Sequence, residues 1–371
     1  MEFLWMRYTL PNGAVDMARL PGVPEPGAEH AALFTAAQSV HATRIFVAGP
    51  GATATALWAA QTGADVLFWT ENIAEGQSLT ATFAHNRLPV PQSFVQADFA
   101  GMSPATCAAA LIHLPRGREM QEEAFRLAAA MLIPGGWLVF VGATREGVKS
   151  ARQQAAAIFG QAGIVARKGG YHAGLARRPT GDFPFPEIHR TECPIVVDGM
   201  PTRLVSYAGV FAAERLDDGA AALIAGMQIS PGTRVLDLGC GTGLVGLAAL
   251  RRGAQVVLTD VSARAVVSAR ETLAANGYAD VPVVHTCGAS ALETGTFDTV
   301  ITNPPFHQGR DIHFETAQMF IREAARVLKA GGTLYLVANA FLNYAPWLKA
   351  HFSNVQAVWE NGRFRVWKGQ K

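Results

Sequence analysis

Asn303-Pro304-Pro305-Phe306 is the stretch of this 371-residue chain whose composition points most directly to chemistry. The Asn303 side-chain oxygen and the Pro304 carbonyl are both acceptors, and proline has no N–H to compete with an incoming donor. Pro304 also keeps Asn303 in an extended conformation. Two acceptors placed together can take both N–H groups of an exocyclic amine. Such an amine is a poor nucleophile because its lone pair is delocalised into the ring, and a site holding both hydrogens favours a more tetrahedral nitrogen. Phe306 offers a flat face on which a flipped-out base can stack. The loop alone does not choose the amine: adenine N6, guanine N2, cytosine N4 or a glutamine amide all fit. His307 follows, placed to contact substrate or relay a proton.

A second group lies upstream. Asp237-Leu238-Gly239-Cys240-Gly241-Thr242-Gly243 reads as the end of a strand, a glycine turn and the start of a helix. Glycines let backbone approach a ligand, and a helix N-terminus presents unpaired N–H groups. Asp260, 260 − 239 = 21 residues after Gly239, closes the next strand, where a carboxylate can accept both hydroxyls of a ribose. Dinucleotide sites share this plan. Here the spacing is G-x-G-x-G instead of G-x-G-x-x-G, and Asp237 stands two residues before the first glycine. That acid suits a cofactor with a cationic amino-acid end better than a pyrophosphate. Cys240 and Cys287 read as small packing groups, and no metal site is expected.

The elements that must position these residues alternate. Segments 235–238, 256–258, 281–285, 299–302 and 334–338 are short apolar strands. Helices fill the gaps: one from about Thr242 to Gly253, one capped by Ser262 and ending at Asn276-Gly277, and one carrying Phe314, Ala317, Ile321, Ala324 and Leu328. Strand–helix alternation makes an α/β fold with a mostly parallel sheet and ligands at the strands' carboxyl ends. Asn12-Gly13 and Asp198-Gly199 signal a hairpin before each unit.

There are two such units because the chain repeats itself. The segment around Gly49 aligns with that around Gly239, and 239 − 49 = 190. The same offset joins 64–69 to 254–259 and Ile112-His113-Leu114-Pro115 to Thr302-Asn303-Pro304-Pro305. Pro134-Gly135-Gly136 matches Ala330-Gly331-Gly332 at 330 − 134 = 196, so the second copy holds about six extra residues after its Asn-Pro-Pro loop. The first copy lacks the acids: Ala48 and Thr70 stand near or at the stations of Asp237 and Asp260, and His113-Leu114-Pro115-Arg116 replaces Asn-Pro-Pro-Phe. Gly49 and Gly51 remain. The expected division is residues 1–188, a degenerate copy that holds substrate or stabilises the fold without cofactor, and residues 189–371, the catalytic copy.

Composition sets the outer limits. Half the residues are hydrophobic and 16% are charged, enough for two real cores. The net charge of +2 excludes a protein that holds nucleic acid by bulk charge alone. Between Arg145 and Arg190, however, eight Lys/Arg face three acids, a solvated face or a phosphate-tracking surface. The four cysteines show no C-x-x-C spacing, the first residues do not form a signal peptide, and no apolar run is long enough to span a bilayer. A cytoplasmic location, with no membrane partner, is expected.

The stretch 235–260 resembles class I S-adenosylmethionine-dependent methyltransferases, which implies two tandem Rossmann-like class I methyltransferase domains and S-adenosylmethionine as cofactor. By that resemblance Gly239, Cys240, Gly241, Gly243 and Val261 lie against the cofactor with Asp237 and Asn303, Asp260 holds its ribose, and Gly288 and Ala289 flank the adenine. Gly209-Val210-Phe211, Leu216-Asp217-x-Gly219, Asn303-Pro304-Pro305-Phe306-His307-x-Gly309, Val337-Ala338-Asn339-x-Phe341-Leu342-x-Tyr344 and Gly362-Arg363-Phe364-Arg365-Val366 narrow it. With the duplication, these resemble bacterial ribosomal RNA guanine-N2 methyltransferases, specifically the small-subunit family acting on guanosine 1207 of 16S rRNA. The resemblance implies ribosomal RNA in an assembled small subunit as substrate, with Phe211 and Asp217 near cofactor and target base. A sister family acting on large-subunit rRNA has the same layout. Adenine-N6 or glutamine methylation, and a non-catalytic RNA-binding assembly factor, are the other functions the sequence admits.

Overall fold

Runs such as Ile45-Phe46-Val47 and Val235-Leu236 are wholly buried, as strands covered on both faces must be. The computed structural model describes residues 2–305 and 312–371, with nothing to be said of the side chains of Ile312 and His313. It divides into two compact units, residues 2–189 and 190–371.

The first unit opens with a hairpin, β1 (Leu4–Leu10) and β2 (Gly13–Arg19). It continues through α1 (Ala28–Ala37), β3 (Arg44–Ala48), α2 (Thr53–Gln61), β4 (Asp65–Thr70), α3 (Ile73–His85), β5 (Gln92–Val95), β6 (Cys107–His113), α4 (Arg118–Met131) and β7 (Leu132–Ala143). A 3₁₀ turn at Thr144–Glu146, α5 (Val148–Phe159), β8 (Ala162–Lys168) and β9 (Tyr171–Arg177) complete it. The second unit follows the same plan. It runs through β10 (Arg190–Val197), β11 (Met200–Tyr207), α6 (Asp218–Gly226), β12 (Arg234–Leu238), α7 (Leu244–Arg251), β13 (Gln255–Asp260), α8 (Ala263–Ala275) and β14 (Val283–His285). Then come β15 (Phe297–Thr302), α9 (Ile312–Val327), β16 (Leu328–Asn339), α10 (Ala345–Lys349), β17 (Ser353–Glu360) and β18 (Phe364–Gln370).

Each unit holds one seven-stranded sheet, ordered β5-β4-β3-β6-β7-β9-β8 and β14-β13-β12-β15-β16-β18-β17. Six strands in each run the same way, and one, β9 or β18, runs against them between its two neighbours. The repeat extends to the register. Ala48 faces Trp69 and Ile112 in one sheet, and Leu238 faces Thr259 and Thr302 in the other, each 190 residues on. Between the next pair the offset becomes 196: Ile112 faces Phe140 and Thr302 faces Leu336. The six-residue insertion therefore lies between β15 and β16. Among the described residues no helix is long and apolar enough to cross a membrane.

Two details depart from the sequence reading. The first hairpin pairs Leu10 with Gly13, so its two-residue loop is Pro11-Asn12, one position earlier than the Asn-Gly signal. Asp198 and Gly199 do form the second loop, both with positive φ, the twist a two-residue hairpin requires. The last two strands of each sheet are joined through antiparallel pairings and carry no glycine-turn-helix signature, so the strand–helix alternation does not reveal them.

Each hairpin is fastened to a helix by the same three polar side chains. In the first unit the Ser78 hydroxyl accepts from Leu20 N–H (3.1 Å), Thr82 accepts from Ala18 N–H (3.0 Å), and Asn86 donates to the Asp16 carbonyl (2.7 Å). In the second, Ser268 accepts from Tyr207 N–H (3.2 Å), Thr272 accepts from Val205 N–H (3.0 Å) and donates to its carbonyl (2.9 Å), and Asn276 donates to the Arg203 carbonyl (2.8 Å). Four-residue spacing sets all three on one helix face. They satisfy hairpin edge groups that burial would otherwise leave unpaired. Thr272 is fully buried and serves both a donor and an acceptor. Thr272→Val, which keeps the shape, is expected to lower unfolding free energy by about 2 kcal/mol, with Thr272→Ser near wild type. Denaturant unfolding checks this, and equal loss in both variants would show that packing, not hydrogen bonding, matters there.

Candidate active site

Parallel pairing of β12 with β13 and β15 brings three strand ends together at one edge of the second sheet. Thr302 donates its hydroxyl to the Leu238 carbonyl (2.8 Å), tying the last residue of β15 to the last residue of β12. The glycine turn and the Asn303 loop therefore leave the sheet side by side.

Gly239, Gly241 and Gly243 all have positive φ. Their surroundings differ. A Cβ on Gly239 would press on the Phe320 ring at 2.8 Å and one on Gly243 on Ala269 at 3.0 Å, whereas one on Gly241 would meet nothing within 4 Å. Gly239 and Gly243 thus serve close packing, and Gly241 faces open space. Gly239 and Cys240 both donate their N–H to the Thr259 carbonyl (2.9 Å each), which bends the turn over β13. Cys240 is buried, its thiol pushed up by burial and then by Asp260 and Asp237, which suits packing and not nucleophilic chemistry.

Asp260 braces the turn: its carboxylate accepts from Gly241 N–H (2.8 Å) and Ser262 N–H (2.9 Å). Burial raises its pKa against those bonds. Asp237 is only 2% exposed and accepts from Gly246 N–H in the first turn of α7 (2.8 Å). Burial first, and then the Asp260 charge, push it up to about 7 against the pull of the Gly246 N–H. A cation bound beside this turn would offset the cost of keeping Asp237 ionised. Val261 follows at the turn, its carbonyl 3.0 Å from His285 Nε2. Gly288, with positive φ, and the buried Ala289 lie beyond β14, and Arg326 donates to the Ala289 carbonyl (2.7 Å).

Asn303 has an unusual surrounding. Its Nδ2 donates to Asp217 Oδ2 (3.2 Å), while its Oδ1 is buried with no hydrogen-bond partner. The same Asp217 oxygen caps α6, accepting from Gly219 N–H (2.9 Å) and Ala220 N–H (3.1 Å). A carboxylate offers only acceptors, so it holds the amide with its nitrogen inward and its oxygen unused. A buried acceptor left empty costs about 1–3 kcal/mol, the sign of a site built for a donor. Sequence placed Asp217 near the substrate; the cap and the hold on Asn303 appear only in the structure. The signal was an Asp just before small helix formers. Pro304 is buried and Pro305 exposed. Phe306 and His307 lie outside the described residues. Phe211 sits in the turn after β11, 68% exposed, with no ring contact among the described residues.

The first unit has the same edge, filled differently. At the Asn303 station His113 is buried, its Nε2 2.7 Å from the Thr55 hydroxyl and its ring 4.6 Å from that of His30. Burial, reinforced by His30, holds the His113 imidazole neutral, well below its usual range. Gly49 has positive φ, and a Cβ there would collide with the His113 carbonyl, so both conformation and space require glycine. Thr70, at the Asp260 station, keeps the bond from the residue two ahead, Asn72 N–H (3.1 Å). The amides of Gly51, Ala52 and Thr53 instead face the carboxyl of Glu75, wholly buried, with Oε1 unpartnered. The second copy has Ala265 at this station, 265 − 75 = 190. One carboxyl on α3 thus occupies the turn that the second copy leaves open. Neither Glu75 nor His30 stands out in the sequence, because neither belongs to a motif.

Residues 201–368 match the family model of the Methyltransferase small domain. The chain is 34% identical over 329 residues to ribosomal RNA small subunit methyltransferase C of Hahella chejuensis, covering 87% of this chain and 93% of that one. It is 37% identical over 265 residues to the protein of the same name from Stutzerimonas stutzeri, covering 70% and 78%. Among solved structures, the T. thermophilus 16S rRNA N2 G1207 methyltransferase, in complex with AdoMet and guanosine, superposes with a TM-score of 0.84 over 99% of this chain and 98% of that one, at 24% identity.

Burial pushes the Glu75 carboxyl up to about 8, against the neighbouring amides and Thr70. In the unfolded chain it ionises near 4.5. Between those values the folded state keeps a proton that the unfolded state releases, so this group costs stability as pH rises, by up to about 1.4 kcal/mol per pH unit. Glu75→Gln should therefore gain on wild type between pH 5 and pH 8 in urea midpoint of the first unit. A stability difference that stays constant with pH would mean that Glu75 is already ionised in the fold.

Proposed function

The chain belongs to the ribosomal RNA small subunit methyltransferase C family, and from that membership we propose that it methylates the exocyclic N2 of a guanosine in 16S rRNA, at the position 1207 named for the T. thermophilus protein. It is an S-adenosylmethionine-dependent enzyme acting on ribosomal RNA. We assign the assembled small subunit as the form of substrate, and the cytoplasm as the place of action.

The residues of the second unit fit the cofactor. S-adenosylmethionine supplies, when bound, an electrophilic methyl group on a sulfonium. Gly241 has open space where a ligand backs onto the turn, and Asp260, held by backbone N–H groups of Gly241, Val261 and Ser262, would turn its remaining lone pair toward a ribose hydroxyl. Asp237 would favour the cationic amino-acid end, with Gly239, Cys240, Gly243 and Val261 forming the wall and Gly288 and Ala289 flanking the adenine. Asn303 Oδ1 and the Pro304 carbonyl would accept the two N–H groups of the amine, with Phe306 against the base and Phe211, Asp217 and His307 around it. No strong base is required, because the nitrogen can release its proton after transfer. The first unit, its turn filled by Glu75, is assigned to holding substrate or stabilising the fold.

The observation that carries this reading is Asn303 Oδ1, a buried acceptor without a donor, oriented by Asp217. Nucleoside mass spectrometry of small subunits incubated with the enzyme and labelled cofactor tests it. Label is expected in N2-methylguanosine, and label in N6-methyladenosine would sink the guanine assignment.

Two substitutions test the amine-holding role. Asn303→Ala should keep cofactor affinity by calorimetry while kcat falls about 10²–10³-fold, as when an oriented transition-state hydrogen bond is removed. Asp217→Ser still caps α6, since serine and aspartate cap about equally well, but is too short to hold Asn303. It should lower kcat about tenfold at unchanged melting temperature. Full turnover in that variant would show that the Asn303 amide needs no anchor.

A further inference from the structure

The filled turn of the first unit leaves its sheet edge with a different surface. Arg116 follows β6, Arg145 follows β7, Lys149 stands in the first turn of α5, and Lys168 ends β8. All four are exposed and come from three separate connections, yet the backbone sets them side by side. Tyr171, opposite Lys168, also pairs with Ala143 at the end of β7. Thr144 N–H donates to the Gly170 carbonyl (2.9 Å), joining the segment that carries Arg145 to the turn after Lys168. Arg116 Nε reaches Glu146 at 2.8 Å, joining the third connection.

Two acids of this edge are already engaged, while Glu119 in the first turn of α4 stays exposed. Glu146 pairs with Arg116, and Glu29 takes the Gly27 N–H (2.9 Å) and His30 Nδ1 (3.0 Å). Arg145, Lys149 and Lys168 have no ion pair among the described residues. Lys149 is also placed against local stability, since a cation in a helix's first turn opposes the helix dipole, and that turn of α5 holds no acid. A bound anion would reverse that penalty. Tyr171 adds a neutral donor, its phenol pushed up by burial first and then by Glu29.

We propose that Arg145, Lys149 and Lys168, flanked by Arg116, form a surface that grips the phosphodiester backbone of the RNA substrate, at the sheet edge equivalent by the repeat to the one that carries the glycine turn in the second unit. This rests on the rRNA reading above. The first unit has thus kept the ligand-facing edge of its sheet and exchanged a small-molecule turn for a polyanion-binding surface. Phosphate interactions of this type set affinity and register and do not read sequence.

The test compares two triple variants of equal charge in the full-length protein. Arg145→Gln/Lys149→Gln/Lys168→Gln removes the surface. Arg44→Gln/Arg87→Gln/Arg126→Gln removes three cations elsewhere in the same unit, the half-buried Arg44 and the exposed Arg87 and Arg126. Both are assayed for methylation of small subunits and for 16S rRNA binding across a salt series, with melting temperature as a check on folding. The first triple should raise KM about tenfold or more at near-wild-type kcat. It should also flatten the log–log salt dependence by about two units, near 0.7–0.9 for each phosphate no longer neutralised. The control should stay within about twofold of wild type in KM. If the two triples behave alike while wild type is active, the surface does not exist and only net charge matters. Wild type inactive on rRNA would instead refute the rRNA reading. Should the first triple unfold, Lys149→Gln alone, relieving an unfavourable helix charge, must still raise KM without lowering the melting temperature.

Discussion

Leu238 faces Thr302 across a parallel ladder, and the site depends on that register. Parallel strands end at the same edge, where their last backbone groups have no further ladder partners and the following loops must supply them. The Thr302 hydroxyl caps the Leu238 carbonyl, the Thr259 carbonyl takes two amides of the glycine turn, and Asp260 takes a third. A slip of one residue would send Asn303 to the opposite face of the sheet. The first unit uses the same register, Ala48 against Ile112, which brings His113 against Gly49.

One scaffold therefore supports two outcomes, decided by a few buried polar side chains. Asp260, Ala265 and Asn303 leave a turn with acids at its wall, open space at Gly241 and an unused amide oxygen. Thr70, Glu75 and His113 fill the same stations with a carboxyl and an imidazole that burial drives toward their neutral forms. Burying a charge costs far more than burying its neutral form. A carboxyl held neutral can sit under amides that would otherwise need a ligand. Positive φ is kept to glycines in both turns, Gly49 and Gly51 in one and Gly239, Gly241 and Gly243 in the other; at Thr53, the station of Gly243, the chain is already helical.

Asp217 shows how local and distant requirements are met by one atom. Its Oδ2 caps α6 through Gly219 and Ala220, an interaction within three residues. The same oxygen fixes the amide of Asn303, 303 − 217 = 86 residues away in sequence. Helix capping explains an aspartate there with no reference to chemistry, and this is why its second role is invisible until the chain is folded. Ser268, Thr272 and Asn276 are similar. Polar residues at four-residue spacing read as a solvated helix face, but in both units they hold a buried hairpin.

By itself the sequence determined the alternation of strand and helix, the tandem repeat with its 190-residue offset, the glycine turn, and the Asn-Pro-Pro-Phe loop. All of these are local: periodicity, glycine and proline are constraints on neighbouring backbone, and duplication preserves them in order. It also placed the extra residues after β15, because an insertion shows as a step in the offset. The tertiary structure decided which side chains meet. The one reversed strand in each sheet, the filling of the first turn by Glu75, and the orphaned oxygen of Asn303 depend on groups far apart in sequence, and no motif records them. A repeat fixes where a residue stands in the fold, but whether a buried polar atom finds a partner depends on packing from every neighbouring element. For Asn303 that physical difference separates a plain turn from a site shaped for a donor.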